Sequence, residues 1–139
     1  MADPFPICHL NGALLPLREA RVSPLDRGFL FADAVYEVIA VHAGRAARLN
    51  SHLERLANSL AALRIRNPHS AAQWSGLLQA LIAANGADDL YVYLQVSRGA
   101  EYGRNHAPLP ELTPTVFAFC APFPVSSPAA LVNGVACIT

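Results

Sequence analysis

The sequence predicts an α+β domain of two layers, a mainly antiparallel sheet with two helices packed on one of its faces. Three observations predict it. Asn11-Gly12 stands between two short apolar runs, and both residues tolerate the positive φ of a tight hairpin. The middle of the chain carries two apolar stripes at helical spacing, one through Leu53, Leu56, Ala57, Leu60 and Leu63, the other through Trp74, Leu77, Leu78, Leu81 and Ile82. Strand-like runs flank these stripes on both sides. The order hairpin, two strands, two helices, three strands leaves the helices to cover one face of the sheet.

In order, Ile7–Leu15 forms the hairpin, and Pro16 and Pro24 bracket a connection. Asp26-Arg27-Gly28 reads as a turn, with Gly28 supplying backbone freedom. From Asp33 to His42 the residues alternate. Ala34, Tyr36, Val38, Ala40 and His42 share one face; Asp33, Val35, Glu37, Ile39 and Val41 share the other. Both faces are largely apolar, which predicts a strand inside the sheet rather than on its rim. Glu37 is the exception, and a carboxylate there requires a partner or a polar cavity. Ala43-Gly44 turns the chain so that Arg45–Leu49 can return antiparallel. Asn50 suits a helix N-cap, and the helix is expected over about 51–64. Ser70 with Gln73 fits a capping box, and Gly86 is placed to end the second helix. Leu90–Arg98 reads as a strand, 99–114 as a loop with glycines and prolines, Thr115–Ala121 as a strand, and Leu131–Thr139 as a further strand after an Asn133-Gly134 turn.

Composition bounds the function. At 139 residues the chain fits one domain, and a hydrophobic content of 53% belongs to a folded protein. No apolar run is long enough for a membrane-spanning helix, and the N-terminus lacks a signal-peptide pattern. Net charge is zero without a basic stripe, which argues against nucleic acid or anionic membrane as partner. Cys8, Cys120 and Cys137 are an odd number with no metal-type spacing, read as reduced thiols of a cytoplasmic protein. His9, His42 and His69 form no ligand cluster, so no metal site is expected. All ten basic residues are Arg, and there is no Lys.

By pattern alone, Arg55 is a solvated helix arginine, Tyr36 a packed strand tyrosine, and Arg104 with His106 an exposed loop pair. A resemblance changes that reading. Asp26-Arg27-Gly28-Phe29, followed by Ala32-Asp33-Ala34-Val35-Tyr36-Glu37-Val38, resembles the DRG…GDGVYEV signature of the fold-type IV aminotransferases (class IV), which use pyridoxal 5'-phosphate (PLP). His52-Leu53-Glu54-Arg55-Leu56 matches the family's H-x-x-R-L pattern, and Val96-Ser97-Arg98-Gly99 its V-T-R-G strand end. Arg104-Asn105-His106 resembles the R-x-H of the D-amino-acid aminotransferase branch. The likeness runs through nearly the whole chain.

The resemblance implies the fold of the family's N-terminal domain over 1–139, with the lysine-bearing C-terminal domain absent from this chain. It implies that Arg55 grips the PLP phosphate, a task suited to a permanently charged two-donor group. Tyr36, Arg104 and His106 would hold the substrate carboxylate, the last two reaching across from a neighbouring subunit of a homodimer. Val38 and Tyr93 would line the side-chain pocket. Glu37 points away and is a weaker candidate. The spacer before Arg104 is one residue longer than in the best-known members, which leaves its aim open. The implied reaction transfers an amino group from a D-amino acid of the D-alanine type to PLP and then to a 2-oxo acid. Branched-chain aminotransferase, aminodeoxychorismate lyase and a non-catalytic binding or assembly domain are the alternatives. The covalent partner of PLP must be a lysine amine, so no catalytic residue is expected here and the chain alone is expected to be inactive. The reading also requires the Tyr36 phenol and the Arg55 guanidinium to open onto one anion-lined hollow.

Overall fold

A computed structural model of the chain describes residues 3–86, 88–123, 132, 134 and 136. The Asn11-Gly12 turn joins β1 (Ile7–Leu10) to β2 (Ala13–Pro16), and both turn residues have positive φ. A 3-10 turn at Leu17–Glu19 leads toward α1 (Arg27–Phe31). β3 (Ala34–His42) and the two-residue β4 (Arg45–Ala46) follow, then α2 (Leu49–Ala62), α3 (Ala71–Asn85), β5 (Leu90–Ser97) and β6 (Thr115–Ala121). The sheet has the order β2-β1-β6-β5-β3-β4, and each of its pairings is antiparallel.

The two longer helices cover one face. Leu53, Leu56 and Leu60 of α2 and Trp74, Leu78, Leu81 and Ile82 of α3 pack against Val35, Ile39, Val41, Val92, Leu94, Val96, Val116 and Ala118 of the strands. Burying each such leucine is worth about 1.5–3 kcal/mol. The Ser70/Gln73 capping box is complete, and Gly86 closes α3 in the left-handed conformation. No helix among the described residues is long and apolar enough to cross a membrane.

Four local expectations change. Asp26 does not simply turn the chain into a strand. Its carboxylate accepts from the Gly28 N–H at 2.8 Å and caps α1, which ends where Ala32 turns left-handed. Gly28 is required for space rather than for backbone freedom, since a Cβ there would lie 2.9 Å from the Ser97 Cβ. α2 begins after Arg48 in the left-handed region with no side-chain cap, so Asn50 is inside the helix. β3 is an inner strand only in part: it lies between β5 and β4, and β5 pairs with it along Ala34–Val41, but β4 covers only Val41 and His42 on its other side. Its second apolar face comes from lying open rather than from burial. The strand expected over 131–139, with its Asn133-Gly134 turn, lies outside the described residues apart from Val132, Gly134 and Ala136.

His9 is buried on β1 beside α3, sharing a cleft with Gln73, Leu77 and Ala80. Its Nε2 accepts from the Gly12 N–H at 3.1 Å, and its Nδ1 has no partner among the described residues. Burial first, and the nearby His69 second, hold its pKa below the usual value. The unfolded chain therefore binds the proton that the folded one refuses. Stability is complete above the ordinary histidine pKa of about 6.5 and declines as pH falls through and below it. A urea midpoint that drops between pH 7.5 and 5.5 is expected, and the drop should be largely absent in His9→Gln.

Candidate active site

The sheet face away from the helices is aromatic and open. Along β3, alternation places Tyr36 and Val38 on it, 65% and 44% exposed. In register, Val38 stands opposite Tyr93 and Tyr36 opposite Gln95. The Tyr36 and Tyr93 rings stack with centroids 5.6 Å apart, and Tyr93 lies 5.3 Å from Phe119. The Tyr93 hydroxyl donates to Gln95 Oε1 at 2.7 Å, and burial together with the neighbouring Tyr36 pushes its pKa up. Three of the expected pocket residues, Tyr36, Val38 and Tyr93, are thus adjacent on one surface. An aromatic floor with phenolic tips suits a small ligand with an apolar side chain and a polar end.

Arg55 belongs to the other face. Glu37, next to Tyr36 in the strand, points under the helices and is buried. Arg55 donates to it through Nε at 2.8 Å and Nη2 at 2.5 Å, and His52 Nδ1 lies 2.8 Å from its Oε2. This answers what the Glu37 carboxylate pairs with. Burial would raise its pKa, but the bonds from Arg55 and His52 outweigh that and hold it below the ordinary carboxylate range. The Arg55 guanidinium is 66% exposed, and its Nη1 makes no hydrogen bond among the described residues. Glu37 first, and Tyr36 as a lesser influence, hold it firmly charged. An oriented, exposed guanidinium with spare donors fits a phosphate oxygen.

The common hollow expected of Tyr36 and Arg55 is not seen as a single cleft among the described residues. Tyr36 and the Glu37–Arg55 pair leave the strand from opposite faces, because consecutive strand residues must. The Tyr36 phenol nevertheless remains a lesser electrostatic influence on Arg55. A cleft of about 450 Å³ lies instead among Arg64, Arg66, Arg98 and the 109–114 segment.

Arg104 and His106 form a third group. The Arg104 guanidinium lies 4.8 Å from the centroid of the Phe31 ring, and the His106 ring 5.7 Å from the same ring. Among the described residues no hydrogen bond links either to Tyr36, Val38 or Tyr93. The backbone beneath them is held by a residue read from the sequence as part of a turn. Arg27 is 4% exposed. Its Nε donates to Asp33 at 2.9 Å, Nη1 to Glu101 Oε1 at 2.6 Å and to the Asn105 carbonyl at 2.7 Å, and Nη2 to the His106 carbonyl at 3.0 Å. Its guanidinium lies 4.6 Å from the Phe31 ring centroid. Asp33 also accepts from Arg98, Nε at 2.7 Å and Nη2 at 3.0 Å. Two guanidiniums and two carboxylates thus balance in a largely buried cluster. Burial works against the charge on Asp33, yet Arg98 and Arg27 hold its pKa down. The importance of Arg27, Phe31 and Glu101 was not legible from spacing, because Arg27 and Phe31 lie more than seventy residues from Glu101 and the loop they meet. The only hint was the place of Arg27 in the matched signature.

A family model for amino-transferase class IV matches residues 34–139. A D-alanine aminotransferase of Bacillus licheniformis is 38% identical over 130 residues, covering 93% of this chain and 45% of that protein. One from Listeria monocytogenes serotype 4b is 38% identical over 97 residues, covering 70% and 34%. The chain therefore spans less than half the length of these relatives. Among solved structures, 4-amino-4-deoxychorismate lyase from Pseudomonas aeruginosa superposes with a TM-score of 0.74 at 30% identity, over 92% of this chain and 44% of that one. A branched-chain amino acid aminotransferase from Escherichia coli superposes at 0.79 with 18% identity, over 86% and 41%, a likeness of fold.

Proposed function

Because the chain belongs to the class IV aminotransferase family, we propose that it is the N-terminal domain of a PLP-dependent transaminase. The enzyme would move an amino group from a D-amino acid of the D-alanine type to a 2-oxo acid. The observation that carries this reading is the pairing of Arg104 and His106 against one ring, Phe31, on a loop whose backbone is anchored beneath them. A guanidinium can meet a carboxylate with two parallel N–H bonds, and an imidazole beside it adds a third contact.

In this reading each group has a task. PLP, when bound, supplies the electron sink that lets the amino group pass from donor to acceptor. Arg55 would hold the phosphate, while Glu37, itself bonded to His52, keeps the guanidinium plane from turning. Val38 and Tyr93 line the space for the substrate side chain, and the Tyr36 hydroxyl donates to the carboxylate. Arg104 and His106 would bind that carboxylate from the neighbouring subunit of a homodimer. The lysine that bonds the cofactor would come from a C-terminal domain, since this chain has none. The chain alone would not transaminate.

The test uses the complete enzyme with D-alanine or L-leucine as donor and 2-oxoglutarate as acceptor. Turnover of D-alanine is expected, and Arg104→Ala should raise KM for it about tenfold or more, the scale of a lost charge-assisted hydrogen bond. Activity confined to L-leucine would replace this reading by the branched-chain one. The likeness to the Pseudomonas aeruginosa lyase supports a second reading, decided by release of an aromatic amine from aminodeoxychorismate.

A further inference from the structure

We propose that Arg27 is the positioning residue for the Arg104/His106 pair, and that Phe31 is the seat on which the pair rests. The inference depends on the carboxylate-binding reading of that pair given above. It concerns two residues that touch neither substrate nor cofactor in that reading.

The problem it solves is entropic. Arg104 and His106 sit on the loop between β5 and β6, where 102 and 104–111 are exposed apart from the half-buried Gly103. Fixing the backbone of each loop residue costs conformational entropy, and the exposed residues 104–111 offset little of it through burial. A side chain from elsewhere must supply the hold. Arg27 does so on both sides of Arg104. Three residues before it, the Glu101 carboxylate turns inward onto Nη1; immediately after it, the Asn105 and His106 carbonyls accept from Nη1 and Nη2. One planar guanidinium therefore holds three loop residues across the step that carries Arg104.

Glu101 itself is buried, and its Oε2 has no partner among the described residues. Among the described residues Arg27 is its one ion-pair partner, so the two must stay together or leave a buried charge unpaired. Arg27 is in turn fixed at the far end by Asp33, whose Oδ2 also accepts from Arg98 Nε and whose Oδ1 accepts from Arg98 Nη2. The chain of contacts runs from the end of β5 through Asp33 and Arg27 to the loop. A salt bridge that merely filled the interior would have no use for the Asn105 and His106 carbonyls. The Phe31 ring lies 4.6 Å from the Arg27 guanidinium and 4.8 Å from that of Arg104. The electron-rich faces of an aromatic ring attract both cations. The aim of Arg104 is thus set by Phe31.

Two variants test this. Arg27→Lys keeps the charge but cannot meet Asp33, Glu101 and two carbonyls with one flat fork. Phe31→Leu keeps apolar volume at a half-buried position, removes the ring, and leaves the interior cluster intact. On the 139-residue chain, amide exchange over 101–106 is expected to accelerate at least tenfold in Arg27→Lys. In the PLP-loaded complete enzyme, KM for D-alanine should rise about tenfold in Arg27→Lys and about two- to fivefold in Phe31→Leu, with kcat changed less than threefold. Adding Arg27→Lys to Arg104→Ala should raise KM no further. Unaltered loop exchange, or faster exchange with KM unmoved while Arg104→Ala raises it, overturns the inference. An Arg104→Ala enzyme with normal KM overturns the carboxylate reading and the inference with it. Should Arg27→Lys not fold, Phe31→Leu decides through the same KM comparison.

Discussion

Gly99→Ala is expected to destabilise the domain by roughly 2–6 kcal/mol, combining left-handed strain of about 1–3 kcal/mol with overpacking of similar size. A Cβ on Gly99 would lie 1.9 Å from the Thr113 carbonyl oxygen, a backbone atom that cannot swing aside, and φ at this residue is +103°. The position is structurally busy as well. The Gly99 N–H donates to Ser97 Oγ at 3.1 Å, and its carbonyl accepts from the Arg27 N–H at 2.9 Å. Displacing it would shift the end of β5 against the residue that anchors the Arg104 loop. Gly86→Ala provides the control. Its φ of +65° carries strain, but no atom waits within 4 Å, so about 1 kcal/mol is expected. Urea unfolding of the two variants separates clash from strain. Equal midpoints would remove the close approach of the Thr113 carbonyl from the account.

Asp33→Asn is expected to cost about 3–5 kcal/mol at pH 7, because it leaves two largely buried guanidiniums facing an amide. Arg27 is 4% exposed and Arg98 16%, and both lean on the same carboxylate. Arg98 also donates to the Leu63 and Arg64 carbonyls just past the end of α2, at 2.8 and 2.9 Å. Losing Asp33 therefore loosens the helix end as well as the loop. The pH dependence gives a second reading. The folded pKa of Asp33 lies below its ordinary value, burial being outweighed by Arg98 and Arg27. Its contribution is complete above the ordinary aspartate pKa of about 3.9 and disappears as pH falls through and below that value. The acid limb of the stability curve should be shallower in Asp33→Asn than in the parent chain. Identical acid limbs would mean that Asp33 is not held ionised by the cluster.

Much of the fold was legible before any coordinates. The Asn11-Gly12 hairpin, the Ser70/Gln73 capping box, the Gly86 stop and the Leu and Trp stripes are local devices, each contained within a few residues. They appear in the structure where the pattern places them. The α1 helix escaped notice because it is only five residues long, too short for periodicity, and is announced only by its Asp26 cap. The partly uncovered edge of β3 escaped for a different reason. Two apolar faces describe a covered strand and a strand with an open aromatic face equally well.

The candidate site divides along the same line. Alternation alone placed Tyr36 and Val38 together, and register with β5 added Tyr93. Alternation also separated Tyr36 from Glu37, the carboxylate that holds Arg55. What the sequence by itself determined was the set of elements and the faces each residue occupies, since those follow from backbone period and local capping. Only the tertiary structure decided that Arg27 holds Glu101 and the Asn105 and His106 carbonyls, and that Phe31 lies beside two guanidiniums. Charge pairs close through space between residues far apart in the chain, and no spacing rule encodes which arginine will meet which carboxylate.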